Sequence, residues 1–477
     1  VSNHAKVIPI NPAPDAAGDQ EQALYEVRKK IYPRAVSGWF AKWRWTLVWF
    51  TQLIFYGSPW LTWNDRQAVL FDLGARKFYI FGIVFWPQDF IYLAVLLVIS
   101  AYSLFLFTAV AGRLWCGYAC PQTVYTEIFL WVERVIEGDR VAQMRLDNSK
   151  LGARKLGLKG TKHGFWIAIS LWTGFTFVGY FTPIHDLMRE VLSWSLGPWE
   201  TFWLFFYGFA TYGNAGWLRE QVCKYMCPYA RFQGVMFDRD TLVIAYDEER
   251  GEKRGSRSKK ADPKALGLGD CVDCEICVQV CPTGIDIRKG QQYECIGCTA
   301  CIDGCDQVMD KMGYARGLIR YASLNGVSQH LGWREMIRRV FRPRVMIYTA
   351  VLWAIIIAAS LSLWHRVPVK VDVIRDRGAL SREVGDGLIE NVYRLQIMNT
   401  QERSRELKIS ATGVDGLHVQ GLPSPLTLEP ASTRMYTVTL RAPAAATQKG
   451  SNRIMFHIVP ATAGDDFALH EKSIFFK

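Results

Sequence analysis

The chain has 477 residues, half of them hydrophobic, with 12 Cys, 18 Trp, 20 Tyr, 26 Phe and a net charge of +12. This length exceeds the roughly 100–200 residues of an ordinary domain and excludes a single-domain reading. All twelve Cys lie between Cys116 and Cys305, which argues against an extracellular disulfide framework and for metal ligation in a reducing compartment. The positive charge carries no nucleic-acid role, because membrane proteins gather Lys and Arg on cytoplasmic loops.

Residues 1–44 read as a cytoplasmic tail and interfacial segment. The first thirty are polar and Pro/Ala-rich, are expected to be mostly disordered, and hold no apolar core of a cleavable signal peptide. Five windows then have the composition of a bilayer span, about 17–25 residues. They are 45–63, 90–111, 165–183, 201–217 and 345–364. The stretch 78–86 is apolar but too short to span, and is expected at the outer interface, with Asp89 capping the second helix. Basic residues crowd 134–163, the tail before the first window and the loop before the last. The positive-inside rule therefore puts the N-terminus in the cytoplasm and the C-terminus outside.

The membrane domain, 45–235, contains a repeat. Windows one and two end in Trp115-Cys116-Gly-Tyr-Ala-Cys120-Pro121. Windows three and four end in Val222-Cys223-Lys-Tyr-Met-Cys227-Pro228. Each half reads as a helical hairpin closed by C-x-x-x-C-P. Residues 236–264 read as a charged, flexible linker, 265–310 as a two-cluster ferredoxin domain, 311–343 as a basic helical connector and 344–365 as the last span. From 366 to 477 the periodicity changes to two. Roughly seven short strands suggest an external immunoglobulin-like β-sandwich. The fold class is thus an α-helical membrane protein of about five spans, with an inserted α+β ferredoxin domain and a C-terminal all-β sandwich.

The strongest chemical signal is Cys271-x-x-Cys274-x-x-Cys277-x-x-x-Cys281-Pro282, followed by Cys295-x-x-Cys298-x-x-Cys301-x-x-x-Cys305. A cuboidal cluster takes four thiolates, and the fourth Cys of each such run serves the other cluster. Cys271, Cys274, Cys277 and Cys305 are assigned to one [4Fe–4S] cluster, and Cys295, Cys298, Cys301 and Cys281 to the second. Zinc is the alternative, but it favours two separate C-x-x-C pairs. Asp306 stands where Pro usually follows the last Cys. For Cys116, Cys120, Cys223 and Cys227, residues four apart share a helix face. Each pair could offer two sulfurs to copper or another metal centre, or cycle to a disulfide. The bland alternative is four buried, inert thiols. His185, His365 and Met226 are weaker candidates, expected to serve as interfacial or packing residues.

At these residues the sequence resembles the CcoG/FixG (RdxA-type) family of cytochrome c oxidase accessory proteins. The likeness includes IYPR (31–34), FWPQD (85–89), both C-x-x-x-C-P motifs, CPTGIDIR (281–288), YECIGC (293–298) and GLIRYASLNG (317–326). It implies a bacterial inner-membrane protein that reduces Cu(II) to Cu(I) for assembly of cbb-type oxidase. The partners expected are membrane lipid, an unknown cytoplasmic electron donor, and an oxidase subunit or copper chaperone. Two other readings stand beside it: a quinol-linked electron conduit without copper chemistry, and a non-enzymatic assembly scaffold.

Overall fold

A computed structural model describes residues 30–263, 265–376, 378, 380–385, 387–462 and 467–477. The expected disordered tail, residues 1–29, lies outside the described residues.

Helices occupy all five apolar windows: α1 (Trp39–Gly57), α2 (Phe90–Ala111), α4 (Ala153–Val178), α5 (Pro198–Thr211) and α6 (Pro343–Trp364), with the amphipathic α3 (Pro121–Glu137) between α2 and α4. Among the described residues two helices are long and apolar enough to cross a membrane, Pro87–Ala111 and Pro343–Trp364, where about five were expected. The other three fall short for visible reasons. Lys42 and Arg44 sit in the first turns of α1, and the first half of α4 carries four basic residues. α5 has 14 residues and passes into a wide π-helical turn over Tyr212–Leu218.

The two halves are not matching hairpins. α4 packs along α5, whereas α2 packs chiefly on α6. The reason is an insertion between α1 and α2. It holds a two-stranded sheet, Thr62–Trp63 with Arg66–Gln67, and a three-stranded sheet, Val69–Asp72, Lys77–Ile80 and Ile83–Phe85. The apolar stretch 78–86 thus forms strands. Asp89 stands at the N-terminus of α2 but makes no side-chain cap to that helix. It accepts from the backbone N–H of Trp86, and its buried carboxylate pairs with Arg366 and Lys370 at the base of the sandwich. Beside it, Arg66 and Asn64 hold Glu402 of the sandwich.

The sandwich has nine strands where seven were expected. They are β1 (Val369–Arg375), β2 (Arg382–Val384), β3 (Leu388–Asn399), β4 (Arg405–Thr412), β5 (His418–Gln420), β6 (Leu426–Leu428), β7 (Thr433–Pro443), β8 (Ser451–Pro460) and β9 (Leu469–Phe476). One sheet runs β5-β7-β3-β1 with β2 on β3; the other runs β6-β4-β8-β9. Alternate residues fill the space between them. Tyr393, Leu395, Ile397, Leu407, Leu440, Phe456 and Phe475 are fully buried. The two extra strands have three residues each, too short for a period-two pattern to register.

The ferredoxin segment is larger than its cysteine runs. Strand Val243–Tyr246 pairs antiparallel with Ile319–Ala322 and closes the unit from both sides. The expected flexible linker is folded against it. Arg250 binds Asp270 and the carbonyl of Arg316, and Arg257 binds the carbonyls of Gly269 and Cys271. Arg250 and Arg257 are thus folded onto backbone oxygens, while Lys253, Arg254, Lys259 and Lys260 stay exposed.

Candidate metal and electron-transfer site

Two small cavities lie inside the ferredoxin unit, and their linings follow the cysteine pattern. One is walled by Cys271, Cys274, Cys277 and Cys305, with Tyr246, Ile276 and Leu318. The other is walled by Cys281, Cys295, Cys298 and Cys301, with Cys277 between the two. The fourth Cys of each run therefore stands at the other run's cavity. Burial pushes the Cys277, Cys295 and Cys305 thiols up to about 12 and Cys298 to about 11. Thiols so raised stay protonated at neutral pH unless iron displaces the proton. Soft sulfurs around apolar walls fit [4Fe–4S] clusters; the second set of sulfurs is shut in, whereas Cys274 of the first is exposed. Among the described residues no three His, Cys, Asp or Glu side chains are poised as ligands of a single metal ion.

The paired C-x-x-x-C-P motifs meet at the membrane side of this unit. Cys116 lies in a short helix, Leu114–Tyr118, and Cys223 in a π-helical turn, Val222–Met226. Cys120 and Cys227 lie outside both. Each is the N-cap of a new helix, α3 or Pro228–Met236, whose first residue is the Pro of the motif. The expectation that each pair shares one helix face fails, because the chain breaks between the two Cys so that Pro can begin a helix. The four thiols are still neighbours. Cys223 feels the charges of Cys120, Cys116 and Cys227, and Cys116 those of Cys120 and Cys227. Burial, then these neighbours, pushes Cys116 up to about 11 and Cys223 to about 12. The thiols form an open group, not a closed ligand shell.

This group abuts the second cluster cavity. A Cβ on Gly117 would stand 2.6 Å from the carbonyl oxygen of Gly297 and 2.9 Å from the Cα of Cys298. The Tyr118 and Thr299 hydroxyls are 2.7 Å apart. Cys116 and Cys223 pack at the edge of the ferredoxin's own apolar core, and a crevice joins Cys223 to Cys298. Two buried cations stand here. Arg44 donates to the carbonyl of Cys298 at 3.0 Å, and Arg113 donates to the carbonyl of Ala230. Both lower the charge cost at nearby sulfurs. From the other side, Asp303 of the ferredoxin helix Ala300–Met312 accepts from the first N–H groups of α1, at Phe40 and Ala41. A helix N-terminus leaves such donors unpaired and favours an anion there, so α1 is capped by the ferredoxin domain. Gln233, fully buried, accepts a weak bond from the Cys116 thiol at 3.4 Å. Arg44, Arg113, Asp303 and Gln233 escape a sequence reading. The signal available for the two Arg was a cation at the end of an apolar window, which orientation rules also explain. His185 packs edge-on to Trp60, and His365 follows the last turn of α6; both lie away from the sulfurs.

Three family models match the chain. A 4Fe-4S dicluster domain covers 218–324, a 4Fe-4S binding domain covers 93–138, and the IG-like fold at the C-terminus of FixG covers 359–477. The nitrogen fixation protein FixG of Rhizobium meliloti is 40% identical over 426 residues, covering 82% of this chain and 80% of that protein. Protein RdxA of Cereibacter sphaeroides is 42% identical over 413 residues, 83% of this chain and 85% of that protein. The chain belongs to the FixG/CcoG family. The ferredoxin-type protein NapH of Haemophilus influenzae is 24% identical over 234 residues, 45% of this chain and 68% of that protein. A crystal structure of a FixG-related protein from Vibrio parahaemolyticus covers 24% of this chain and 98% of that one, at 22% identity and a TM-score of 0.21. As a FixG/CcoG member with two matching 4Fe-4S models, the protein is an iron–sulfur electron-transfer protein. The first 4Fe-4S model begins inside α2 and includes Cys116 and Cys120. The dicluster model begins just before Cys223.

Proposed function

We propose that this protein is a cupric reductase of a bacterial inner membrane, supplying Cu(I) for assembly of a cbb-type haem–copper oxidase. The observation that carries the reading is the direct contact between the Cys116–Cys120 loop and the Gly297–Cys298 turn. It brings Cys116 and Cys223, with Cys120 and Cys227 as their neighbours, to the edge of the second cluster cavity. Cys271, Cys274, Cys277 and Cys305 would hold one cluster, and Cys281, Cys295, Cys298 and Cys301 the other. When bound, the clusters supply one-electron chemistry. Cys277 touches both cavities and shortens the route between them. Arg44 and Arg113 offset the negative charge that builds up on reduction. At the membrane group Cu(II), the substrate, gains one electron and leaves as Cu(I), the state that thiolates favour. An open sulfur group suits a site that must release its ion. α2 and α6, the two helices long and apolar enough, would cross the bilayer, with the ferredoxin domain cytoplasmic beside its electron donor. The sandwich would be periplasmic, where an oxidase subunit or copper chaperone docks.

The test is Cys→Ser at Cys116, Cys120, Cys223 and Cys227 in turn. Each variant should lose copper binding and Cu(II) reduction while keeping about eight iron atoms per chain. Wild-type reduction in all four, or loss of iron with them, would overturn the assignment.

One observation favours a second reading, the quinol conduit. A cavity of about 750 Å³ opens between α1, α3 and α4, walled by Trp45, Trp49, Tyr56, Trp131 and Trp172. The buried Oε1 of Gln52 within it has no hydrogen-bond partner. A lipid-soluble ring with polar carbonyls suits such a lining. Quinone that co-purifies and is lost in Gln52→Leu would support this reading.

A further inference from the structure

The outer face of the sandwich carries a histidine pair that neither the ferredoxin chemistry nor the membrane sulfurs use. On β8, Ile454, Phe456 and Ile458 point into the core, so Met455 and His457 point out. His457 is the cross-strand partner of His470 on β9, at the outward position. Their rings meet edge to face, with Nδ1 of one 2.8 Å from Nδ1 of the other. The second nitrogen of His457 is also engaged, because Nε2 lies 2.7 Å from the hydroxyl of Thr412 on β4.

We propose that His457 and His470 form a binding site for a divalent transition-metal ion, Cu(II) by preference. Two imidazole nitrogens at about 2.0 Å from an ion and at right angles to each other stand about 2.8 Å apart; tetrahedral ligands would stand about 3.3 Å apart. The observed 2.8 Å is a hydrogen-bond contact; it brings the two Nδ1 atoms close enough to share one ion once each ring turns, and the order of divalent affinities then favours Cu(II). The tautomers also agree. In the tautomer that ligation requires, Nε2 of His457 donates to the Thr412 hydroxyl and the Nδ1 lone pair is free; a ligating His commonly gives its other N–H to such a partner. In the metal-free pair His470 donates its Nδ1 proton to that lone pair. On binding, this proton moves to Nε2 of His470, each ring turns so that its Nδ1 lone pair faces the ion instead of the other ring, and no electron is transferred. Met455, two residues before His457 on the same face, and Ser410, opposite His457 on β4, flank the position. Thr412 is a positioning residue. The site stands on the sandwich's own geometry and does not depend on the cupric-reductase reading.

The test uses the full chain, oxidised and in detergent, titrated with Cu(II) and read by EPR for the nitrogen couplings of imidazole. The wild type is expected to show one imidazole-bound Cu(II) per chain. His457→Asn with His470→Asn should abolish that signal, and His470→Gln alone should weaken it strongly if the double variant folds poorly. A variant with all four membrane Cys changed to Ser should keep it, which separates this site from the reductase site. Thr412→Val should raise the half-saturating copper by about tenfold while leaving the couplings in place, the usual effect of losing such a partner. An imidazole signal unchanged in the histidine variants overturns the proposal. Equal half-saturation in wild type and Thr412→Val overturns the positioning role and marks the copper as adventitious.

Discussion

Gly117→Ala probes the joint between the membrane sulfurs and the second cluster cavity. The added methyl would lie 2.6 Å from the Gly297 oxygen and 2.7 Å from its carbonyl carbon. Both are backbone atoms of a cluster-binding turn, so no rotamer change relieves the contact. Ordinary contact begins near 3.4 Å, so the two surfaces must part by about 0.8 Å. Overpacking of this kind costs about 1–3 kcal/mol. Gly157→Ala is the control: nothing lies within 4 Å of its new methyl, and a helical Gly→Ala change adds about 0.5–1 kcal/mol of stability. Gly117 is helical too, so that gain cancels between the variants and thermal unfolding should separate them by about 1–3 kcal/mol. The iron content of Gly117→Ala should stay at the wild-type level, because no cluster ligand changes. With the clusters chemically pre-reduced, electron delivery to Cu(II) should be slower in Gly117→Ala only. Equal stability and equal delivery rates in the two variants would refute the contact.

Further outcomes are expected elsewhere. Glu133 is buried between Lys162 and Arg219 at 3.2 and 2.9 Å; burial alone would raise its carboxyl, but the two cations hold it below the usual carboxylate range. Glu133→Ala should cost about 3 kcal/mol in denaturant unfolding, the lower part of the range for breaking a buried pair, since Lys162 keeps Glu137 at 2.9 Å. Arg44→Gln removes a buried positive charge beside Cys298 and should lower the reduction potential of the nearer cluster in a redox titration, with iron unchanged; an unmoved potential would remove Arg44 from the electron path. A reporter fused after Lys477 should be active only outside the cytoplasm, and activity of a cytoplasmic reporter there would overturn the proposed periplasmic sandwich.

What the sequence makes legible depends on how local the signal is. The cysteine runs fix their own chemistry, because three thiols at intervals of three can wrap one cluster whatever surrounds them. The Pro after Cys120 and Cys227 also announces a helix start, and α3 and Pro228–Met236 begin there. The long sandwich strands are legible because both faces alternate over eight or more residues. Pairing between distant four-residue strands is not. Val243–Tyr246 and Ile319–Ala322 each carry too little pattern to announce a partner across the whole ferredoxin segment. Charge misled in the same way. Arg250 and Arg257 lie in a run that composition reads as solvated, yet both are folded onto backbone carbonyls. Asp303 looked like one more polar residue of a ferredoxin helix, and its role at the start of α1 exists only in three dimensions.

The buried Asp89, gripped by Arg366 and Lys370, turns α2 into a strut. Its outer end is pinned to the root of the sandwich by two cations. Its inner end, about 33 Å away for 22 residues, runs through Gly112 and Arg113 straight into the turn that carries Cys116. α6 packs on α2 and leads directly into the sandwich, so two helical rods meet the sandwich at its root. The root of the sandwich and the backbone next to Cys116 are therefore the two ends of one helical element. Asp89→Asn with Arg366→Gln would cut one rod and leave the other whole.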